Sequence, residues 1–215
     1  MLNSEILTFR EFIMREKLPL ATIQSAILEF LRGRDDAVVF GAQAVNAYVS
    51  EPRMSQAIDL LSPRAAELAK ELQGYLKERF HMAIRIREVG KGKGYRLFQV
   101  QKSGNRHLVD IRPIDTMPLA QRISKVLVAT PAELIARKVI AYHQRRGQPK
   151  SGTDWRDLAM LLLTFPELKR DSGPVVDRLK AAGADQAVRK IWSELVAQTI
   201  TPPDEDDEFF PGDHE

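Results

Sequence analysis

Phe40-Gly41-Ala42-Gln43-Ala44-Val45-Asn46-Ala47-Tyr48, followed by Arg53-Met54-Ser55-Gln56-Ala57-Ile58-Asp59-Leu60-Leu61, decides how this sequence folds. Ala37 to Phe40 reads as a short buried strand that ends at Gly41, and Gln43 to Tyr48 as the helix that follows. A glycine-led turn from strand into helix lets backbone N–H groups approach a phosphate, although an ordinary strand-to-helix turn has the same appearance. The second stretch alternates as a strand. Ile58 and Leu60 share one face, while positions 57, 59 and 61 share the other. An acid at 57 would therefore stand beside Asp59, but the residue there is Ala57.

A further strand, His107-Leu108-Val109-Asp110-Ile111-Arg112, turns Val109 and Ile111 inward and places Asp110 on the opposite face with Leu108 and Arg112. Carboxylates on neighbouring strands are the hard oxygen ligands that a two-metal phosphoryl-transfer site requires. Asp59 and Asp110 supply two of them, and position 57 would supply the third. Taken singly, either aspartate has an equally ordinary reading. Asp59 could cap a turn, and Asp110 could pair with Arg112.

Composition narrows the chemistry. The 215 residues contain no cysteine, which excludes disulfides, thiolate catalysis and Cys-based zinc sites. His81, His107, His143 and His214 show no metal-ligand spacing, so any metal is expected to be oxygen-bound. No apolar run approaches the length of a membrane span, and Met1 to Glu5 lacks the start of a secretory signal, so a cytoplasmic location is expected. The net charge is +3, yet residues 204 to 215 carry seven acidic side chains and no Lys or Arg, which leaves +10 on the rest. That excess suits a polyanionic partner.

Elsewhere the pattern is mixed α/β. Leu20, Ile23, Ile27 and Leu31 predict a helix that stops near Gly33, and Ser62-Pro63 opens a helix burying Ala66, Leu68, Ala69, Leu72 and Leu76. Met82 to Val89 and Tyr95 to Gln101 read as strands around Gly90-Lys91-Gly92-Lys93-Gly94. That segment is glycine-rich but lacks a following helix, so it reads as a basic hairpin tip rather than a phosphate loop. From about Val128 the pattern becomes helical. Thr130-Pro131-Ala132-Glu133 starts a helix through Lys138 and Tyr142, and Thr153 or Asp154 is expected to cap the next, through Leu163. A last helix is expected over Val175 to Thr199, broken near Gly183, before a disordered acidic tail at 201–215. On amphipathicity alone Lys138 is a solvated surface lysine, and Trp155 and Trp192 are core anchors.

The Gly41 turn, Arg53-x-Ser55-x-Ala57-Ile58-Asp59, Val109-Asp110-Ile111, Lys138, and Lys150 with Asp154-x-x-Asp157-Leu158 together resemble the AbiEii-type nucleotidyltransferase toxins of bacterial toxin–antitoxin and phage-defence systems. The resemblance spans residues 37 to 163 and rests on the order of the pieces. It implies an α/β (α+β) nucleotidyltransferase fold with a mixed sheet, followed by a C-terminal helical region. The corresponding domains are residues 1–125, 126–200 and the tail 201–215. It further implies a nucleotidyltransferase that moves NMP from an NTP to RNA, such as the 3′ end of tRNA, with Mg2+, blocks translation and has a cognate antitoxin. By the same resemblance Asp59 is a metal ligand, and Asp110 a metal ligand or base. Gly41, Ala42, Arg53 and Lys138 meet the nucleotide, and Asp157, with Asp154 beside it, fills the acidic position of the second helical motif. The sequence departs from the family at Ala57, where the family has aspartate, and at Ala42, where Gly or Ser usually follows the first Gly. An engineered knockout and natural decay both account for Ala57, and either leaves transfer impaired. Two other functions remain open: a non-catalytic RNA- or protein-binding module, and transfer to a small molecule or a protein.

Overall fold

The structure is a computed structural model that describes residues 18–102 and 104–202. The predicted amino-terminal helix is α1 (Leu20–Phe30), with Ile23, Ala26 and Ile27 buried at helical spacing. β1 (Val38–Phe40) then runs straight into α2 (Gly41–Asn46), so this helix begins at Gly41 itself rather than at Gln43. Asp59 lies in β2 (Ile58–Ser62). Next comes α3 (Ala65–Phe80), which buries Leu68, Ala69, Leu72 and Leu76 as expected, with Ala65 rather than Ala66 completing the stripe. β3 (Ile84–Val89) and β4 (Gly94–Gln99) form an antiparallel hairpin closed by residues 90–93, the expected basic tip.

β5 (Arg106–Pro113) carries Asp110, and β6 (Ala120–Ile123) and β7 (Val126–Ala129) form a second hairpin. The seven strands make one mixed sheet in the order β3-β4-β5-β2-β1-β7-β6, with β2/β5 and β1/β7 parallel. The sequence reading missed β6 and took Val128 as the onset of helix. Val128 instead pairs with Val39, because the apolar run Val126-Leu127-Val128 continues the sheet beside β1. The hydroxyl of Tyr48 donates to the Ala129 carbonyl at 2.9 Å, which ties the end of α2 to β7. Burial pushes the Tyr48 hydroxyl up to about 12, so it stays protonated as a donor.

Strand alternation gives the sheet two unlike faces. α3 packs against β2, β3, β4 and β5 on the face bearing Ile58, Leu60, Ile84, Leu97, Val109 and Ile111. Each fully buried aliphatic side chain of this kind contributes on the order of 1.5–3 kcal/mol. Leu108 is buried as well, contrary to the strict alternation expected of this strand. A bulge lets Leu97 oppose Val109 and Phe98 oppose His107, so Leu108 is the extra residue of β5.

The chain divides into two compact units between Leu134 and Ile135, nine residues beyond the expected break, because β7 and the start of the next helix belong with the sheet. The second unit is helical. It contains most of α4 (Pro131–Gln144), then α5 (Pro149–Thr164), a 3-10 turn at Pro166–Leu168, α6 (Pro174–Ala181) and α7 (Gln186–Ala197). Gly183, at φ +67°, separates α6 from α7 where a break was expected. α5 starts at Pro149, with proline at its first turn, so Thr153 and Asp154 lie inside the helix and Asp154 is not its cap. Trp192 is a core anchor whose Nε1 donates to the Arg170 carbonyl at 3.0 Å, whereas Trp155 is half-buried against Tyr142. The acidic tail lies almost wholly outside the described residues.

Candidate active site

Antiparallel pairing of β1 with β2 sets Phe40 opposite Asp59, and parallel pairing of β2 with β5 sets Asp59 opposite Asp110. Directly paired residues project from the same face, so the two carboxylates are neighbours on the face that α3 leaves uncovered. Gly41 adopts φ +70°, and a Cβ built on it would lie 2.2 Å from Asp59 Oδ2 and 2.9 Å from its Cγ. Position 41 therefore needs glycine twice over, for its left-handed backbone and for the closeness of Asp59. Ala42 is buried in the first turn of α2.

Asp110 is held from the other side. Arg96, its cross-strand partner on β4, donates from Nε to Oδ1 at 2.8 Å, and His107 Nε2 lies 3.3 Å from the same oxygen. Burial works against ionisation of Asp110, but these two neighbours outweigh it and hold its carboxyl below the usual carboxylate range. Arg112 is not its partner, contrary to one reading of the sequence. The Arg112 guanidinium sits over the Phe40 ring, 5.1 Å from the centroid, while Arg96 reaches Asp110 directly across the ladder.

The segment that leads into Asp59 is fixed by buried amides. Asn46 at the end of α2 accepts from Arg53 N–H at 3.0 Å and donates to the Arg53 carbonyl at 2.7 Å, acting as a one-residue strand partner. Gln24 on α1 donates to the Ser55 carbonyl at 2.9 Å and accepts from Gln43 at 3.3 Å. Ser55 Oγ donates to the Ala57 carbonyl at 2.8 Å. Ala57 lies in the bend just before β2 and not within the strand, so its position follows from this bracing rather than from the sheet ladder. The sequence reading missed Gln24, Gln43, Asn46 and Arg96. Three amides on otherwise apolar helix faces were the available signal for the brace, whereas the pairing of Arg96 with Asp110 depends on strand register.

Lys138, Asp154 and Asp157 form a second group, within the helical unit. Lys138 Nζ lies 2.6 Å from Asp157 Oδ2 and 3.1 Å from Asp154 Oδ1, and Arg145 donates to Asp154 Oδ2 at 2.7 Å. The Asp157 and Asp154 side chains are 0% and 1% exposed and that of Lys138 is 12% exposed, so Lys138 is not the solvated lysine that amphipathicity alone suggests. The i, i+3 spacing of the two acids on α5 lets both meet one ammonium.

Among the described residues, no three His, Cys, Asp or Glu side chains come together in a way that could hold a metal ion. Asp59 and Asp110 are adjacent, but Asp110 is engaged by Arg96, and Ala57 offers no oxygen from its side chain. The residues present do not complete a two-metal site. No helix among the described residues is long and apolar enough to cross a membrane.

Comparison with solved structures finds the same architecture in the Megavirus polyadenylate synthase, at a TM-score of 0.59 and 15% identity, over 77% of this chain and 37% of that one. The present chain thus spans little more than a third of the viral protein. JHP933 from Helicobacter pylori is similar at a TM-score of 0.52 and 15% identity, over 89% of this chain and 91% of its own. These likenesses establish the α/β nucleotidyltransferase fold. No curated protein sequence matches the chain. The family model described as nucleotidyl transferase AbiEii toxin, type IV toxin–antitoxin system, matches residues 26–209, and the chain belongs to that family of nucleotidyltransferases.

Proposed function

We propose that this protein is a toxin whose nucleotidyl transfer is directed at RNA, with the 3′ end of tRNA as acceptor, and that Ala57 leaves it impaired. The acceptor hydroxyl oxygen forms the new bond to the α-phosphorus of an NTP and gives up its proton to solvent, the bond to the bridging oxygen breaks, and pyrophosphate leaves. Blocked tRNA ends would stop translation in the cytoplasm, and an antitoxin partner would restrain the effect. The observation that carries this reading is the in-register pair Asp59 and Asp110, with the Gly41 backbone pressed against the Asp59 carboxylate.

In this account Asp59 and Asp110 are ligands that need an acid at position 57. Mg2+ held by three such carboxylates would neutralise charge on the phosphoryl oxygens. A carboxyl held below its usual range is a weak base, which favours the ligand role over the base role for Asp110. Gly41 and Ala42 bring backbone close to the triphosphate, and Arg53 adds positive charge beside it. Lys138, which the family resemblance assigns to nucleotide phosphates, is held within the helical unit by Asp154 and Asp157.

The test is incubation of an Ala57→Asp protein with total tRNA, magnesium and each α-labelled NTP in turn. Label on tRNA that is removed by trimming the 3′ end supports the proposal. Label on a small molecule or a protein, with none on RNA, overturns the acceptor. A second reading, a non-catalytic binding module on the same fold, is favoured by Ala57 together with the engagement of Asp110 by Arg96. It gains if the folded Ala57→Asp protein transfers nothing.

A further inference from the structure

The cross-strand row that contains Asp59 and Asp110 does not stop there. Asp110 pairs with Arg96 on β4, and Arg96 pairs with Arg87 on β3, the edge strand. All four side chains therefore project from one face, and at a strand spacing of about 4.8 Å the row from Asp59 to Arg87 runs roughly 14 Å. Arg85 lies two residues from Arg87 on the same face and pairs with Phe98, whose ring stacks on His107 at 5.0 Å between centroids. Arg85, Arg87 and Arg96 are exposed, and the turn beyond them adds exposed Lys91 and Lys93. Glu88 points to the other face, so the only acids on this face of β2 to β5 are Asp59 and Asp110.

The two carboxylates have different neighbours. Asp59 abuts Gly41 and β1, where the triphosphate is placed in our reading, and Asp110 abuts Arg96. We infer that β3 and β4 form the acceptor track. Arg85, Arg87 and Arg96 take the phosphates of an RNA strand arriving over the β3 edge, and the Phe98–His107 pair offers a stacking surface beside them. A row of arginines over one face suits a chain of phosphates, and a partly exposed aromatic pair beside it suits bases rather than a small acceptor. The inference rests on the RNA acceptor proposed above and assigns it a surface.

The experiment is binding of fluorescein-labelled tRNA to the full chain by fluorescence anisotropy, across salt from about 50 to 200 mM. It needs no catalysis, so Ala57 does not interfere. The parent is compared with Arg85→Gln/Arg87→Gln and with Lys180→Gln/Lys190→Gln, which removes equal charge from exposed positions in the helical unit. Thermal melting confirms that both variants fold. Each phosphate contact on a single strand contributes about 0.7 to the salt slope, so the β3 variant is expected to lose affinity and about 1.4 of slope while the control changes little. Equal binding by parent and β3 variant, or an equal loss in the control, overturns the track and leaves the RNA acceptor standing. Absence of tRNA binding by the parent overturns both.

Discussion

A methyl group added at position 41 would meet the Asp59 carboxylate and also impose a side chain on a left-handed backbone. Gly41→Ala is therefore expected to destabilise the fold by about 1–3 kcal/mol, read as a lowered urea midpoint. It should also abolish any transfer gained in the Ala57→Asp background, since Asp59 is what must move. Asp110 gives a second prediction at this scale. Its folded value lies below the ordinary carboxylate value of about 3.9, so its ion pair with Arg96 and its hydrogen bond with His107 add stability above that pH. The contribution disappears as pH falls through the lowered folded value. Melting temperatures measured from neutral to acid pH should show Asp110→Asn below the parent at neutral pH and converging with it in acid. A constant gap would argue against the ion pair.

The elements around the carboxylates explain what the sequence could and could not disclose. Asp59 and Asp110 were legible because each stands among apolar residues at a spacing of two, and the resemblance put them in order. Their direct pairing was not legible, because it depends on the register between β2 and β5. Ala57 was placed by extending that alternation, yet it sits in a bend whose geometry is set by Asn46, Gln24 and Ser55. Asp154 read as a cap because Thr-Asp often starts a helix. Pro149 starts α5 a turn earlier, and Asp154 is buried between Lys138 and Arg145. β6 escaped notice because its two middle residues are exposed, the outer two are only partly buried, and it carries no apolar alternation. Asn46→Ala tests the brace. It leaves an N–H and a carbonyl of Arg53 without their partner and is expected to cost about 1–3 kcal/mol in urea unfolding, with little change in overall circular dichroism.

For the molecule as a whole, the charged group around Asp110 in the sheet unit and the one around Lys138 in the helical unit differ in kind. The helical one is a buried network in which Lys138 meets both Asp157 and Asp154, and Arg145 meets Asp154. Removing Asp157 leaves the largely buried Lys138 ammonium short of one of its two acids. Asp157→Ala should therefore cost about 3–5 kcal/mol by urea unfolding whatever its effect on transfer. The centre on the sheet sets Asp59 and Asp110 side by side, with Arg96 and His107 against Asp110, and in our reading an acid at position 57 would complete it. The most direct measurement is titration of Mn2+, followed by its electron paramagnetic resonance signal, into the parent, Ala57→Asp and Ala57→Asp/Asp59→Asn proteins. The account predicts weak binding by the parent, a gain of about ten- to hundredfold with Ala57→Asp, and loss of that gain in the double variant. Equal affinity in all three would contradict the claim that position 57 is the missing member of a metal site built on Asp59 and Asp110.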